Sequence, residues 1–180
     1  MIIINKQKAQ LRDEIKQLKT CFTPEELLKK SETVIKNLVK NPLFRKSNQI
    51  MLYWSLPDEV STHQLIYELV GQKSIILPSI INNNIEPVGL QNFDDLIERK
   101  YHIKEPKKLI QHETLDLIIV PGLAFDKYNN RLGRGKGYYD HFLKQYTSVP
   151  KIGICFDFQL VETVPTDKHD CAMTTVISEQ

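Results

Sequence analysis

The stretch that most constrains this chain runs from Leu117 to Asp140. It begins with Leu117-Ile118-Ile119-Val120, an apolar run rich in β-branched residues that Pro121-Gly122 stops. A run without polar alternation fits a strand buried on both faces of a mainly parallel sheet. The stretch goes on through Leu123-Ala124-Phe125-Asp126 to Arg131-Leu132-Gly133-Arg134-Gly135-Lys136-Gly137, a basic loop rich in glycine. From Tyr139 the apolar positions 139, 142, 143 and 146 have the spacing of one helical face, so the loop lies just ahead of a helix N-terminus. Glycines let backbone N–H groups approach an anion closely, and the partial positive charge of a helix end favours phosphate. Arg131, Arg134 and Lys136 bring three cations to the same place. The pattern Gly-x-x-x-x-Gly-Lys-Ser/Thr is absent, so this is not a Walker A loop. An anion, with a polyphosphate as the expected one, belongs here.

The rest of the chain supplies helices and strands in alternation. Residues 5–19 read as a first helix with Leu11, Ile15 and Leu18 as its apolar stripe. Lys8 and Arg12, four apart, project together from one face of it, and by spacing alone a solvated pair is their ordinary use. A second helix begins near Thr23 with Pro24 at its first position, carries Leu27, Leu28, Ile35, Leu38 and Val39, and breaks at Asn41-Pro42. Ile50 to Trp54 reads as a strand. Ser61-Thr62-His63-Gln64 follows as a capping-box pattern that opens a helix bearing Leu65, Ile66, Leu69 and Val70. Trp54 and Glu59 therefore flank a strand-to-helix loop, and ligands of open α/β sheets gather outside the carboxyl ends of strands. Further strands are expected at 74–77, 85–90, 151–155 and 175–177. Residues 91–116, with Tyr101 and Glu105-Pro106, read as an irregular surface excursion. Strands alternating with helices predict an α/β fold: a single domain over 1–180, its mainly parallel or mixed sheet covered by helices on both faces.

Composition narrows the class further. With 180 residues the chain is long enough to bury a real core, and 41% hydrophobic against 26% charged residues is the balance of a soluble globular protein. Residues 1–50 hold eleven Lys/Arg against five Asp/Glu, but the charges interleave and no RNA-binding motif accompanies them. Neither a nucleic-acid partner nor a membrane partner is expected. Cys21, Cys155 and Cys171 are odd in number and far apart, without metal-ligand spacing, which fits a reducing cytosol. Met1-Ile2-Ile3-Ile4 is too short for a signal-peptide core. A sheet with an anion loop could equally serve a sugar-phosphate isomerase or another ligase, since fold does not fix function.

The identity of the residues says more than their spacing. Pro-Gly-Leu-Ala-Phe-Asp at 121–126, followed by Arg-Leu-Gly-Arg-Gly-Lys-Gly-Tyr-Tyr-Asp at 131–140, closely resembles the signature of the 5-formyltetrahydrofolate cyclo-ligases, also called methenyltetrahydrofolate synthetases. The resemblance covers nearly the whole chain. It implies a cytoplasmic, monomeric enzyme of one α/β domain that cyclises 5-formyltetrahydrofolate to 5,10-methenyltetrahydrofolate with ATP and Mg²⁺. Carried over by position, it implies ATP contacts from Lys8, Ala9, Gln10, Leu11 and Arg12. The central loop would add Arg131, Leu132, Gly133, Arg134, Gly135, Lys136, Gly137, Tyr138 and Tyr139. Arg134 to Tyr138 would also border the folate, with Trp54 and Glu59 binding it from the other loop. Arg134 and Lys136 are the implied catalytic residues, and Asp140 and Asp170 the implied Mg²⁺ ligands. One departure is visible: Lys136 stands where many members carry glycine.

Overall fold

Successive residues of a strand face opposite sides of its sheet, and the buried strands of this protein divide accordingly. The computed structural model describes residues 2–98, 103–107 and 114–180. It runs α1 (Ile2–Lys19), α2 (Pro24–Lys40), α3 (Pro42–Lys46), β1 (Gln49–Met51), α4 (His63–Leu69), β2 (Ser74–Ile81) and β3 (Asn84–Leu90). Then come β4 (Leu96–Glu98), β5 (Lys104–Pro106), β6 (Leu117–Pro121), β7 (Ala124–Asp126), β8 (Arg131–Leu132), α5 (Tyr138–Leu143), β9 (Lys151–Ile154), β10 (Leu160–Val161) and β11 (Thr175–Ile177). Leu117 and Ile119 of β6, with Ile50, Ile75, Leu77, Ile152 and Ile154, form one core with Leu27, Val34, Leu38, Phe44, Leu65 and Ile66 of α2, α3 and α4. Ile118 and Val120, with Met51 and Ile76, face the other way and meet Phe142 and Leu143 of α5. Helices thus cover both faces of a six-stranded mixed sheet, as expected.

The order of strands across the sheet is β11-β9-β6-β1-β2-β3, all parallel except β3, which pairs antiparallel with β2. From β1 the chain adds β2 and β3 to one side, and from β6 it adds β9 and β11 to the other. The winding direction therefore reverses between β1 and β6. Loops leaving the carboxyl ends of these two strands must diverge, and such a crevice is where open α/β sheets take their ligands. The two loops concerned are 52–62 and 121–137.

A second, three-stranded sheet of order β10-β7-β8 sits beyond β6 and builds the ligand side of that crevice. β7 and β8 form an antiparallel hairpin whose turn is closed by Asp126. One carboxylate oxygen accepts the N–H groups of Tyr128 and Asn130 at 2.9 Å each. The other accepts Asn130 Nδ2 at 3.0 Å and Val164 N–H at 2.9 Å. The Phe125 ring of the hairpin packs against Gly153 of β9, where there is no room for a Cβ. On its outer side α1 covers the hairpin through Ile15, which packs with Leu123, Ala124, Leu132 and Val164.

Several local expectations are corrected. The strand from Ile50 ends at Met51, although Leu52, Tyr53 and Trp54 run on buried and Leu52 N–H still reaches Ile76 O at 2.9 Å. The capping box at 61–64 does not form: α4 begins at His63 with Thr62, not Ser61, at the cap position, and Thr62 makes no side-chain cap bond while its hydroxyl donates to the carbonyl of Tyr53. Thr23 and Glu26 make the reciprocal box at the start of α2. Leu18, Leu28 and Val39 are exposed, whereas Ser31 is buried and bonded to Leu27 O. The excursion after residue 90 contains the β4–β5 hairpin, while Tyr101 lies outside the described residues. α5 ends at Leu143, short of Tyr146.

Asp126 ties the stability of the β7–β8 hairpin to pH. Burial alone would raise its pKa, but the bonds from Val164, Asn130 and Tyr128 outweigh that and hold it below 3.8. A lowered folded pKa gives stability that is present above the unfolded value and is lost as pH falls through the folded one. Asp126→Asn presents an amide N–H₂ to at least one pair of donors and is expected to cost about 2–3 kcal/mol in urea unfolding at pH 7. The gap to the wild type should shrink as the pH is taken below about 3.8; a gap that stays constant there contradicts the charge account.

Candidate active site

The crevice holds two groups of charges on either side of the glycine loop. The first lines a cleft of about 330 Å³ whose walls include Asn5, Lys8, Arg12, Arg131, Asp140 and Asp170. Lys8 is buried, and its Nζ lies 2.8 Å from Asp167 Oδ2 and 2.6 Å from Asp170 Oδ2. Burial by itself would lower the ammonium pKa, but the two carboxylates raise it above its ordinary value. One turn further along α1, Arg12 Nε donates to Gly133 O at 2.9 Å. Its guanidinium carbon lies 3.3 Å from where a Cβ on Gly135 would be. Gly135 has φ +100°, so this position asks for glycine twice, through conformation and through the close approach of Arg12.

Arg131 departs from the loop cation that its sequence position implies. It belongs to β8, its side chain is 3% exposed, and Nη2 donates to Asp140 Oδ2 at 2.9 Å. Nη1 reaches Pro121 O at 3.2 Å, and the guanidinium stands 5.6 Å over the Tyr139 ring. Its Nε is buried without a hydrogen-bond partner among the described residues. Asp140 uses its second oxygen to accept Cys171 N–H at 3.3 Å. Both carboxylates expected to meet a metal therefore face this cleft with cations already beside them. Burial pushes the Tyr139 phenol well above its ordinary pKa, which makes it a wall rather than a proton carrier.

On the other side of the loop, Arg134 turns away from the cleft toward the loop after β1. Its Nε and Nη2 lie 3.1 and 3.0 Å from Glu59 Oε1, and Nη2 lies 2.6 Å from Asp58 Oδ1. Glu59 Oε2 accepts Leu56 N–H at 3.0 Å. Trp54 is 8% exposed, stacked on His63 at 4.3 Å between centroids, with Lys104 Nζ 5.3 Å from its ring. It is a buried wall and not an open stacking platform. Burial lowers the His63 pKa, so the ring against Trp54 is neutral at pH 7.

Of the expected residues, Lys8, Arg12, Arg131, Leu132, Gly133, Gly135, Gly137, Asp140 and Asp170 are brought together in the cleft. Ala9 and Gln10 are exposed, with Gln10 bonded to Glu14, and Leu11 packs against the small-sheet core. Lys136 is exposed, 5.8 Å from the Tyr138 ring, whose hydroxyl faces Asn83 Oδ1 at 3.5 Å. Asn5, Lys19, Asp58, His141, Lys144 and Asp167 were not expected. Lys19 alone had a signal, since it continues the helical face of Lys8 and Arg12.

A doubly wound sheet with a glycine-lined cleft carrying several cations beyond its strand ends is the arrangement of an α/β enzyme with a place suited to an anion. Its sequence matches the model of the 5-formyltetrahydrofolate cyclo-ligase family over residues 4–179, and the chain belongs to that family, an enzyme family of the ligase class. It is 30% identical to the 5-formyltetrahydrofolate cyclo-ligase of Mus musculus, over 99% of this chain and 96% of that one. The Haemophilus influenzae 5-formyltetrahydrofolate cyclo-ligase is also 30% identical, over 97% and 99%. The solved structure of Aquifex aeolicus 5,10-methenyltetrahydrofolate synthetase superposes with a TM-score of 0.86 at 34% identity, covering 96% of this chain and 90% of that one. That of the Mycoplasma pneumoniae synthetase gives 0.74 at 26% identity, covering 96% and 99%. No helix among the described residues is long and apolar enough to cross a membrane.

The Arg131–Asp140 pair is the second point of test. Removing one member of a buried pair leaves an uncompensated charge, which costs about 3–5 kcal/mol, whereas removing both costs much less. Arg131→Met is expected to lose about 3 kcal/mol in denaturant unfolding, and adding Asp140→Asn should recover at least about half of it. Equal losses in the single and double variants would mean that Arg131 contributes packing only.

Proposed function

We propose that the protein cyclises 5-formyltetrahydrofolate to 5,10-methenyltetrahydrofolate with MgATP, releasing ADP and phosphate. The observation that carries this reading is the cleft itself. Lys8, Arg12 and Arg131 line one cleft together with Gly133, Gly135 and Gly137 of the loop, and that combination of cations and close backbone supports a polyphosphate ligand. The Glu59–Arg134 pair stands on the far side of the same loop, so two substrates can meet across it.

The chemistry explains the division. A formamide carbonyl is a poor electrophile because the N5 lone pair is delocalised into it. Transfer of the γ-phosphoryl group to the formyl oxygen, with ADP leaving, gives an iminium phosphate. N10 then attacks the formyl carbon and gives up its proton, and the C–O bond breaks to release phosphate. In this scheme Lys8 and Arg12 hold the phosphate chain, Arg131 fixes the floor, and Arg134 neutralises charge at the formyl oxygen, with Lys136 adding to the field. Glu59 accepts N–H groups of the pterin edge, and the Trp54 wall and Tyr138 border the folate and exclude water.

Among the described residues no three His, Cys, Asp or Glu side chains gather into a metal cage. Magnesium is usually held by one or two carboxylates, with phosphate oxygens and waters completing the shell, and Asp140 and Asp170 on the cleft wall fit that donor set. Bound there, the ion would offset charge on the nucleotide phosphates. We further infer a single domain that works as a monomer in the cytosol, without nucleic-acid or membrane partners.

Purified protein is expected to form the methenyl product, followed by its absorbance, with one ATP consumed per turnover and none formed without nucleotide. Lys8→Ala and Arg12→Ala should each weaken ATP binding about ten- to a hundredfold, the loss of one charge-assisted contact, while folate binding holds. Cyclisation at full rate without ATP, or unchanged ATP affinity in both variants, would overturn the reading.

A further inference from the structure

Lys8, Arg12, Ile15 and Lys19 stand on one side of α1, at intervals that keep them together, with Asn5 continuing that side at the cleft end. Eleven residues of α-helix rise about 16 Å, so this face spans the distance from the phosphate cleft to the loop after β1. Lys8 and Arg12 stand at the cleft end, and Ile15 seals the middle against the hairpin. Lys19 stands at the other end, beside Asp58 of the loop after β1.

Its surroundings are specific. The Lys19 side chain is 7% exposed, and Nζ lies 2.6 Å from Asp58 O and 2.9 Å from Asp58 Oδ2. The remaining oxygen of Asp58 meets Arg134 Nη2 at 2.6 Å, and Arg134 in turn meets Glu59. Lys19, Asp58, Arg134 and Glu59 thus form one chain of alternating charge. Arg134 is 42% exposed and Asp58 38%, so their mutual contact is screened and weak by itself. Lys19 is the buried end of the chain, and burial lowers its ammonium pKa against the pull of Asp58. A buried ion pair is a poor way to gain stability, since an apolar side chain of the same length would pack there at less desolvation cost. What the pair supplies, and an apolar side chain cannot, is a fixed position for the 55–59 loop through both its carbonyl and its carboxylate.

We propose that Lys19 is a positioning residue for the cyclisation: it fixes Asp58, and through Asp58 the Arg134–Glu59 pair, at a set distance from the cleft that Lys8 and Arg12 line on the same helix. The proposal rests on the function inferred above. α1 then acts as a rigid spacer between the two substrates, and the in-line geometry of phosphoryl transfer depends on its length. Displacement of reacting groups by about 1 Å costs on the order of a hundredfold in rate, so the loss of this anchor falls on kcat and on the folate, not on ATP.

The test compares Lys19→Met, Lys19→Arg, Asp58→Asn and the Lys19→Met/Asp58→Asn double variant with the wild type, using 5-formyltetrahydrofolate and MgATP. Lys19→Met should lower kcat about ten- to a hundredfold and raise the folate KM, with the ATP KM within about twofold. Lys19→Arg, which keeps the charge, should recover most of the loss. Asp58→Asn should show the same split, and the double variant should be no worse than the more impaired single one. Wild-type kcat and folate KM in Lys19→Met would overturn the proposal. So would folate and ATP constants rising together, the pattern of general loosening. If Lys19→Met does not fold, Asp58→Asn decides, and wild-type kinetics there overturn the proposal equally. An inactive wild-type protein would remove the functional reading and this role together, whereas an active one with unchanged variants removes this role alone.

Discussion

The cleft depends on one buried guanidinium. Arg131 leaves a two-residue strand, reaches back to the Pro121 carbonyl at the end of β6 and forward to Asp140 on α5, and covers Tyr139. It thereby joins the strand before the glycine loop to the helix after it. The loop between them needs no regular hydrogen bonding of its own, because both its ends are held by a side chain that is itself almost wholly out of water. A guanidinium suits this task better than an ammonium, since its planar fork offers several donors in fixed directions. The cost is a buried charge, and Asp140 offsets it.

The second organising feature is how the cations are kept in place before any ligand arrives. Lys8 faces two aspartates, Arg12 a backbone carbonyl, Arg131 an aspartate, and Arg134 two carboxylates. Bringing four cations to one crevice without such partners would be opposed by their mutual repulsion. Under the proposed function each partner also competes with the incoming anion. A phosphate chain bound there would bring charge of its own to the cations, and Asp140 and Asp170 would then be available to a divalent cation. On the other side of the loop Glu59 divides its oxygens between Arg134 and the Leu56 N–H, and under the proposed function a pterin would compete for them.

Much of this frame was legible in the sequence. The apolar run 117–120 announced a strand with two buried faces, and its residues do alternate between two cores. Glycines between basic residues announced an anion loop, and the cleft lies there. What periodicity does not carry is tertiary competition for a polar side chain. Ser61 to Gln64 match a capping box, but the helix starts one residue later, with Thr62 at the cap position and its side chain turned to the buried carbonyl of Tyr53. Arg131 looked like a loop cation because a two-residue strand is too short to register as a pattern. Lys8 and its partners are 159 and 162 residues apart, beyond any local window. Leu18 and Leu28 look like stripe residues and are exposed, because the core their helices reach is narrower than the apolar face.

The central claim is that the formyl oxygen takes the phosphoryl group and leaves with it. It is tested most directly by following that atom. With ¹⁸O placed in the formyl carbonyl of 5-formyltetrahydrofolate, the account predicts that a single turnover with MgATP transfers the label to inorganic phosphate. Mass spectrometry should find one labelled oxygen in each phosphate released. Label appearing in water, with phosphate unlabelled, would contradict the account and return ATP to a role other than activating the carbonyl.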